Sequence, residues 1–300
     1  MIVQPFFSIV IPTYNRPERL ANCLKAIANL DYPSDRFEVI VVDDGSKTPL
    51  DSVVTPLQDK ITIKLFRQVN AGPAAARNRG ASEARGEFLA FTDDDCQPLP
   101  DWLNQFANSL ATAPQAMIGG KTINALADNP FSTASQELID YLYEYYNPAK
   151  GKKAFFASNN IAMPKSGFYS LGGFDVSFPL AAAEDRDFCD RWEAKYPMIY
   201  ASDARINHYH NLTIKSFWRQ HFGYGRGAFC FHQLRAQRVA KEIEVEPLSF
   251  YFDLLFYPFS KTAKHSKIFL SGLFFLSQVA NFLGFFWERF NQSFGLKYAR

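Results

Sequence analysis

Short apolar runs and a helical stripe alternate along the first half of the chain. Each run is typical of a buried strand, and together they cover residues 7–12, 37–42, 61–66 and 87–91. Between the first two runs lies a stripe with the spacing of a helix that buries one face: Leu20, Cys23, Leu24, Ile27 and Leu30. Strands that alternate with helices predict βαβ units. The predicted fold class is therefore α/β, with a mostly parallel central sheet and helices on both faces.

The second half is less regular. Helical patterns cover residues 184–194 and 213–231, and residues 268–287 form a run of twenty without a charge, long enough to span a bilayer as a helix. We expect one domain over residues 1–230, with two halves that divide at about residue 120. Residues 231–300 are predicted to form a helical, apolar appendage.

The charge balance excludes one class of partner. The chain has 32 basic and 30 acidic side chains, a formal net charge of +2, so no nucleic acid is expected to bind. Its four cysteines lie far apart and are interpreted as reduced thiols of a cytosolic protein. The first eight residues lack the pattern of a secretion signal, which also favours a cytoplasmic catalytic domain.

Polar segments follow all four predicted strands, at residues 12–16, 43–46, 70–77 and 92–95. Ligands of open α/β sheets collect beyond the carboxyl ends of the strands, so we expect these segments to form one site. Asp93, Asp94 and Asp95 repel one another, and a divalent cation such as Mn²⁺ or Mg²⁺ would compensate them. A solvated acidic turn is the alternative interpretation.

Two further segments suit parts of a nucleotide. Asp44 could accept hydrogen bonds from a ribose or a base, although an Asp-Gly turn after a strand is common. Residues 70–80 place small side chains with Arg77 and Arg79 at a helix start, which suits a phosphate. Ordinary helix capping explains the same residues.

Taken in order, six motifs resemble the family-2 inverting glycosyltransferases of the GT-A (Rossmann-like) fold. They are FSIVIPTYNR, VIVVDDGS, NAGPAAARNRG, FLAFTDDD, GGFD and AEDRDFCDRW. The resemblance covers about residues 6–230 and implies a nucleotide-binding half (about 1–120) and an acceptor half (about 121–230). It implies transfer of a sugar, with inversion, from a nucleotide-sugar to a hydroxyl acceptor. A UDP-sugar is favoured as the donor, with GDP or dTDP left open.

The resemblance also implies roles for individual residues. The nucleotide-sugar contacts would be Pro12, Thr13, Tyr14, Asp44, Arg77, Asp93 and Asp94. Asp95 and His208 would hold the Mn²⁺ or Mg²⁺ ion, Asp185 would be the catalytic base, and Asn159, Asn160 and Glu184 would lie on the acceptor side. A base is needed because the acceptor hydroxyl loses its proton during the attack. Acidic residues also favour the first turn of a helix, so helix capping by Glu184 and Asp185 stays open.

Three other functions compete with this one. A nucleotidyltransferase usually has a glycine- and lysine-rich triphosphate loop where this chain has Pro12 to Arg16. A non-catalytic nucleotide-sugar-binding protein would not need Asp185, and a membrane scaffold would not need the polar segments at the strand ends.

The C-terminal run has a polar stripe, formed by Ser271, Gln278, Asn281 and Glu288. The stripe fits a span packed on a partner, a helix lying in the membrane interface, or a helix covering the catalytic domain. Lys261, Lys264 and Lys267 precede the run and favour a cytoplasmic N-terminal flank. We therefore expect membrane contact at the inner face of the plasma membrane, and an acceptor that is a glycan or a lipid-linked glycan of cell-surface polysaccharide or glycolipid synthesis.

Overall fold

The computed structural model describes residues 4–146, 155–178, 182–239, 246–261 and 264–293. The chain folds into two compact units. The first consists of Met1–Ala125, Lys153–Val176 and Phe188–Tyr209. The second consists of Leu126–Lys152, Ser177–Asp187 and His210–Arg300.

Eight strands of the described residues form one sheet in the first unit, in the order β3-β2-β1-β4-β7-β6-β8-β5. The strands are β1 Phe7–Thr13, β2 Phe37–Asp43, β3 Ile63–Arg67, β4 Phe88–Thr92, β5 Cys96–Pro98, β6 Met117–Asn124, β7 Asn160–Pro164 and β8 Met198–His208. Strands β1 to β4 run parallel, whereas β7 is antiparallel to both its neighbours and β5 to β8. The four strands predicted from the apolar runs are thereby confirmed, within a mixed but mostly parallel sheet.

Ten α-helices accompany these strands in the described part of the chain. They are α1 Pro17–Ile27, α2 Asp51–Val54, α3 Pro73–Ser82, α4 Trp102–Thr112, α5 Pro130–Tyr146, α6 Lys165–Ser170, α7 Glu184–Glu193, α8 Ile214–Val239, α9 Leu248–Ser260 and α10 Lys267–Ser293. Helix α8 continues eight residues beyond the predicted end at residue 231, because residues 232–239 contain neither glycine nor proline. The domain boundary at residue 230 stays a prediction.

Both faces of the sheet are covered, as the continuous apolar strands predict. Alternate residues of a strand point to opposite faces. Ile9 of β1 packs in one core with Leu24 of α1 and Trp102 of α4. On the other face, Val10 lies so close to Gly80 of α3 that a Cβ at this glycine would overlap it. The predicted α/β class is confirmed, and α3 approaches the sheet closely because residue 80 has no side chain.

The second unit has a helical core of its own. Tyr141 of α5, Phe217 of α8, Leu254 of α9 and Phe274 of α10 are buried together. Helix α10 is, among the described residues, the one helix long and apolar enough to cross a membrane. Its most apolar 18-residue stretch has a mean hydropathy of 1.7 and is 33% buried against the protein.

Candidate functional site

The carboxyl ends of β1, β2 and β4 come together at one edge of the sheet. Thr13 ends β1 opposite Asp43, the last residue of β2, and Thr92 ends β4, the other neighbour of β1. The side chains of Thr13 and Asp94 form a hydrogen bond of 2.7 Å. The polar segments after these strands therefore do meet, as their parallel arrangement requires.

Each of the three consecutive aspartates forms an ion pair with an arginine. Arg77 of α3 contacts Asp93 at 2.7 Å, and two arginines at the start of α1 contact the others: Arg16 Nη1 lies 3.1 Å from Asp94 and Arg19 Nη1 lies 2.9 Å from Asp95. These arginines compensate the repulsion between the carboxylates, so the repulsion alone does not demand a metal ion. Sequence reasoning assigned no role to Arg16, the last residue of the first polar segment, or to Arg19, three residues after it.

Asp94 is the most enclosed of the three carboxylates, with 2% of its surface exposed. Burial raises its pKa to about 6; the Arg16 guanidinium opposes the shift, and the charges of Asp95 and Asp93 add to it. Both of its oxygens are used within the protein, one by Thr13 and the other by Arg16. Asp94 thus holds the strand ends and the start of α1 together.

The described residues include one group suited to a divalent cation. The antiparallel pairing of β5 with β8 sets His208 opposite Cys96, and His208 Nε2 lies 3.4 Å from Asp95 Oδ1. Ligand atoms of Asp95, Cys96 and His208 lie within 4.8 Å of one another. Burial, with the charges of Asp95 and Asp93, raises the pKa of the Cys96 thiol well above its ordinary value. The Asp95 carboxylate is a typical ligand of Mn²⁺ or Mg²⁺, and the His208 imidazole adds a nitrogen ligand beside it.

The carboxylate of Asp44 accepts hydrogen bonds from the loop that precedes α3. One carboxylate oxygen accepts from Gln68 Nε2 and from the Ala71 amide, and the other from the Gly72 amide, at 2.8 to 2.9 Å. Pro12 is buried within β1, whereas Tyr14 is 46% exposed. The contacts of Pro12, Tyr14 and Asp44 with a base stay predictions.

Arg77 is buried, with its guanidinium 5.8 Å from the centre of the Phe174 ring. The phenylalanine belongs to the GGFD motif, so the structure brings that motif into contact with residues 70–80. Asn78 Nδ2 also donates to the Phe174 carbonyl at 2.7 Å. This packing holds Arg77 against the carboxylate of Asp93.

The two asparagines predicted for the acceptor side differ in exposure and partners. Asn160 is fully buried and links Trp102 Nε1 with the carbonyls of Lys121 and Ala204, beside the register shift between β6 and β8. Its amide therefore stabilises the sheet. Asn159 contacts Thr122 at 3.5 Å and the Cys96 sulfur at 3.9 Å. Acceptor contacts of both residues stay predictions.

Asp185 and Glu184 lie in the first turn of α7, within the second unit. Asp185 Oδ1 accepts from the Arg186 amide at 2.8 Å, and the partial positive charge of a helix N-terminus stabilises such a carboxylate. Ala183, just before the helix, has φ of 71°, a left-handed conformation that is strained for alanine. Asp185 is partly exposed whereas Glu184 is buried. Of the two, Asp185 is the carboxylate with a side open to solvent.

Solved structures of glycosyltransferases share this fold. One of them is the mannosyltransferase PcManGT from Pyrobaculum calidifontis in complex with GDP-Man and Mn²⁺. The structural alignment covers 99% of this chain and 82% of that chain, with a TM-score of 0.61 and 18% sequence identity. S. aureus TarS 1-349 in complex with UDP gives a TM-score of 0.53 at 16% identity, over 98% of this chain and 93% of that one. The predicted GT-A-like fold is confirmed.

Curated relatives are also glycosyltransferases. Glycosyltransferase AglE of Haloferax volcanii is 34% identical over 119 residues, 39% of each chain. Chondroitin synthase of Escherichia coli is 29% identical over 214 residues, 60% of this chain but 31% of that enzyme. The chain thus spans well under half the length of these relatives. The family model "Glycosyl transferase family 2" matches residues 8–172, more than half of the chain. By this match and by its ordered motifs, the chain belongs to glycosyltransferase family 2.

Proposed function

We propose that this chain transfers a sugar from a UDP-sugar to a hydroxyl acceptor, with inversion of the anomeric centre. The observation that carries the proposal is the cluster of Asp93, Asp94 and Asp95 with Thr13 and Arg77 at the carboxyl ends of parallel strands. UDP is proposed on the family resemblance, because structures of similar fold are described in complex with UDP and with GDP-Man alike. Because the chain belongs to glycosyltransferase family 2, we favour sugar transfer over the alternative of nucleotidyl transfer.

On the donor side, the residues divide by the part of the nucleotide-sugar that their chemistry suits. Pro12, Thr13, Tyr14 and Asp44 would enclose the base and Asp93 would accept from the ribose. Arg77 would face the diphosphate, because a guanidinium recognises phosphate oxygens by paired hydrogen bonds. Asp94 would keep its present role as the link between Thr13 and Arg16.

Asp95 and His208 would hold a Mn²⁺ or Mg²⁺ ion, which supplies positive charge to the departing diphosphate when it is bound. PcManGT, a structure of similar fold, is described in complex with Mn²⁺, which supports the use of a divalent ion. In this chain Arg19 contacts the same carboxylate of Asp95 at 2.9 Å. Arg19 would leave that carboxylate when the ion enters and could then turn towards the diphosphate.

Asp185 would act as the base. The acceptor oxygen would form a bond to the anomeric carbon while its proton passes to the Asp185 carboxylate, and the bond from that carbon to the diphosphate oxygen would break. A single displacement of this kind inverts the centre. Glu184, Asn159 and Asn160 would border the acceptor.

The acceptor is proposed to be a glycan or a lipid-linked glycan in cell-surface polysaccharide or glycolipid synthesis. Chondroitin synthase, a relative by sequence, is named for one such polysaccharide. The catalytic residues would work at the cytoplasmic side of the plasma membrane, with the C-terminal region, residues 231–300, in contact with lipid.

Titration calorimetry with UDP, GDP and dTDP, each with and without Mn²⁺, tests the donor site. We expect UDP to bind more tightly than the other two and only weakly without the ion. In the Asp95→Asn variant, Mn²⁺ should no longer increase the affinity for UDP. In the control variant Asp101→Asn, at the start of α4, Mn²⁺ should still increase it. No binding of any nucleotide by folded protein would refute the donor site.

A turnover assay with UDP-sugars tests Asp185. The Asp185→Asn variant should bind UDP with unchanged affinity but lose at least about a hundredfold in turnover, because a general base contributes about that much. The matched control is Glu193→Gln, an exposed acid at the other end of α7. Unchanged turnover in Asp185→Asn would contradict its role as the base, and binding without turnover in the wild-type chain would favour a non-catalytic sugar-nucleotide binder.

A further inference from the structure

Two residues of the polar stripe of helix α10 contact neighbouring helices. Glu288 is fully buried and accepts a hydrogen bond of 2.9 Å from Arg226 of α8. Ser277 is also fully buried, and the Ser271 hydroxyl donates to the Leu255 carbonyl of α9 at 2.8 Å. Ser271 and Glu288 of the polar stripe therefore bind the second unit's own helices, and Gln278 and Asn281 between them are partly buried.

The opposite side of α10 is apolar and exposed to solvent. We call it the outer face of α10, and its exposed members are Ile268, Phe269, Gly272, Phe275, Phe282, Leu283, Phe286, Trp287 and Phe290. Phe275, Phe282 and Phe290 are 61%, 62% and 58% exposed. At about 100° per residue the outer face covers nearly half of the helix circumference, and at ~1.5 Å per residue it is about 33 Å long.

Helix α9 adds a second exposed apolar run next to α10. Phe252, Phe256 and Phe259 are all exposed, and their spacing of four and three residues sets them on one side of α9. Exposed apolar patches of this extent on a folded protein mark a site of contact with a protein or a membrane. Helix α10 buries one apolar side in the helical core and exposes another, where a helix surrounded by water normally carries polar residues.

The chemistry of the outer face favours lipid over protein. Protein interfaces carry about one hydrogen bond per 100–200 Å². On the outer face of α10, the Trp287 indole is the one side chain that offers a hydrogen-bonding group. A hydrocarbon layer needs no such group, and a tryptophan at the end of an apolar face suits the boundary between lipid tails and head groups.

Charges at the ends of the outer face fit an anionic lipid surface. Lys267 begins α10 and Arg289 lies near its end, and no acidic residue occurs on the outer face. Basic residues beside an apolar face attract the head groups of anionic lipids. Lys261 and Lys264 are bound to Glu144 and Asp128, and their charge adds little to this attraction. The acid of α9, Asp253, is exposed and would lie in the head-group layer.

We propose that the outer face of α10, with the exposed phenylalanines of α9, lies flat in the surface of an anionic lipid bilayer, without spanning it. The orientation follows from α8, which packs along α10: the rings of Phe222 and Trp287 are 6.4 Å apart and Arg226 pairs with Glu288. If α10 crossed the bilayer, α8 would carry Arg219 and Arg226 into the hydrocarbon, where charged groups are expensive. The flat orientation leaves α8 on the aqueous side.

The inference does not depend on sugar transfer, and it specifies the membrane contact proposed above by naming the face and its orientation. Vesicle flotation of the full chain tests it, with vesicles of phosphatidylcholine and phosphatidylglycerol and without any nucleotide. We expect wild-type protein to float with the vesicles. The Phe275→Ser/Phe282→Ser variant should lose at least about tenfold in partition coefficient, since each ring contributes about that much when buried.

The control variant removes equally exposed apolar residues outside the face. Val176→Ser/Ile214→Ser should float like the wild type, and circular dichroism should show that all three proteins are folded. Failure of the wild type to float would overturn the proposal, even if UDP binds as expected. Equal loss in the control variant would also overturn it, because the effect would not belong to the outer face of α10.

Nitroxide labels measure the orientation. All four native cysteines are buried, so single labels at Gly272→Cys, Phe282→Cys and Phe290→Cys can be attached to an otherwise unlabelled chain. A Cβ at Gly272 meets nothing within 4 Å. A flat helix predicts similar depths at the three sites by power saturation with oxygen and a nickel chelate. A spanning helix predicts depths that change by ~1.5 Å per residue, about 15 Å between the first two sites, and would overturn the flat orientation.

A second copy of this chain is the competing occupant of the face. Sedimentation of the wild type and of Phe275→Ser/Phe282→Ser in buffer distinguishes the two. A wild-type dimer that the variant converts to a monomer, together with no flotation, would overturn the lipid assignment in favour of the second copy.

Discussion

At the scale of single residues, the proposed donor site contains a set of ion pairs between a row of carboxylates and the arginines of the helices around it. Arg19 contacts Asp95 at 2.9 Å and is the partner that a divalent cation would have to displace. Because Arg19 is 37% exposed in its side chain, the pair is weak, worth up to ~1 kcal/mol. The arginine therefore competes with the ion without excluding it.

Removing Arg19 should consequently strengthen binding of the free ion. We expect the Arg19→Gln variant to bind Mn²⁺ about two- to fivefold more tightly in the absence of nucleotide, which is the loss of a pair worth ~0.5–1 kcal/mol. Electron paramagnetic resonance of the unbound Mn²⁺ measures this affinity. Arg36→Gln, which removes an arginine bound to the Gln4 carbonyl, is the control and should leave the affinity unchanged. Weaker Mn²⁺ binding in Arg19→Gln would show that the arginine supports the ion.

His221 of α8 is a second residue whose charge state matters, this time for stability. It is 3% exposed, and its Nε2 atom has no hydrogen-bond partner among the described residues. Burial, with a smaller contribution from His210, lowers its pKa to about 3. The unfolded chain, with an ordinary histidine pKa, therefore binds a proton at pH values where the folded chain does not, and stability falls as the pH drops below about 6.5.

From that difference we expect the wild type to lose about 2 kcal/mol of unfolding free energy between pH 7 and pH 5 through His221. The His221→Phe variant should lose about 2 kcal/mol less than the wild type over the same range, because phenylalanine does not titrate and packs between Phe217 and Tyr224. Urea unfolding at the two pH values gives both numbers. His265→Gln serves as the control; an unchanged pH slope in His221→Phe would contradict the assignment.

At the scale of secondary-structure elements, the sequence predicted strands β1 to β4 and helices α1 and α7 well. Their apolar periodicity can be recognised within a short stretch of sequence, because most of these strands are buried on both faces and each helix on one. The packing of α8 on α10 could not be predicted, because it depends on glycines and a charge pair about sixty residues apart. The sequence showed the polar stripe of Ser271 and Glu288 but not what it faces, since periodicity describes one helix and not its neighbour.

Two glycines of these helices give a matched pair of substitutions. A Cβ at Gly225 of α8 would overlap the Asn281 carbonyl oxygen of α10, whereas a Cβ at Gly272 would meet nothing within 4 Å. Gly225→Ala should therefore destabilise the protein by about 1–3 kcal/mol by forcing the helices apart. Gly272→Ala should stabilise it by about 0.5–1 kcal/mol, since alanine favours a helix interior. Urea denaturation measures both, and a stabilising Gly225→Ala would show that the two backbones are not in close contact.

The buried pair of Arg226 and Glu288 links the same two helices. Replacing Glu288 by leucine removes the carboxylate from a guanidinium whose side chain is 15% exposed, and should cost about 3 kcal/mol of unfolding free energy. The double variant Arg226→Met/Glu288→Leu should recover most of this loss, because no buried charge is then left. If the double variant is as unstable as the single one, the cost arises from packing and the ion pair contributes little.

At the scale of the whole molecule, the four cysteines report separately on the two units. Cys23, Cys96 and Cys189 belong to the first unit and Cys230 to the second, and all four are buried. The sequence showed that they form no CxxC pair. Their burial could be established only by the structure, because it depends on the complete fold. A thiol reagent therefore modifies each cysteine only when the unit around it opens.

Because the proposed donor site lies in the first unit, a bound donor should keep that unit closed. Cys23 is directly beside it: its sulfur lies 3.5 Å from the Asp93 carbonyl. With UDP and Mn²⁺ at about a hundred times their dissociation constant, we expect modification of Cys23 and Cys96 to slow by up to about a hundredfold. Mass spectrometry of peptides after timed labelling measures each cysteine, and GDP at the same concentration is the control. Unchanged labelling of Cys23 and Cys96 by a protein that binds UDP in the calorimeter would mean that the nucleotide binds elsewhere, since binding at this edge of the sheet must stabilise the strands that enclose both sulfurs.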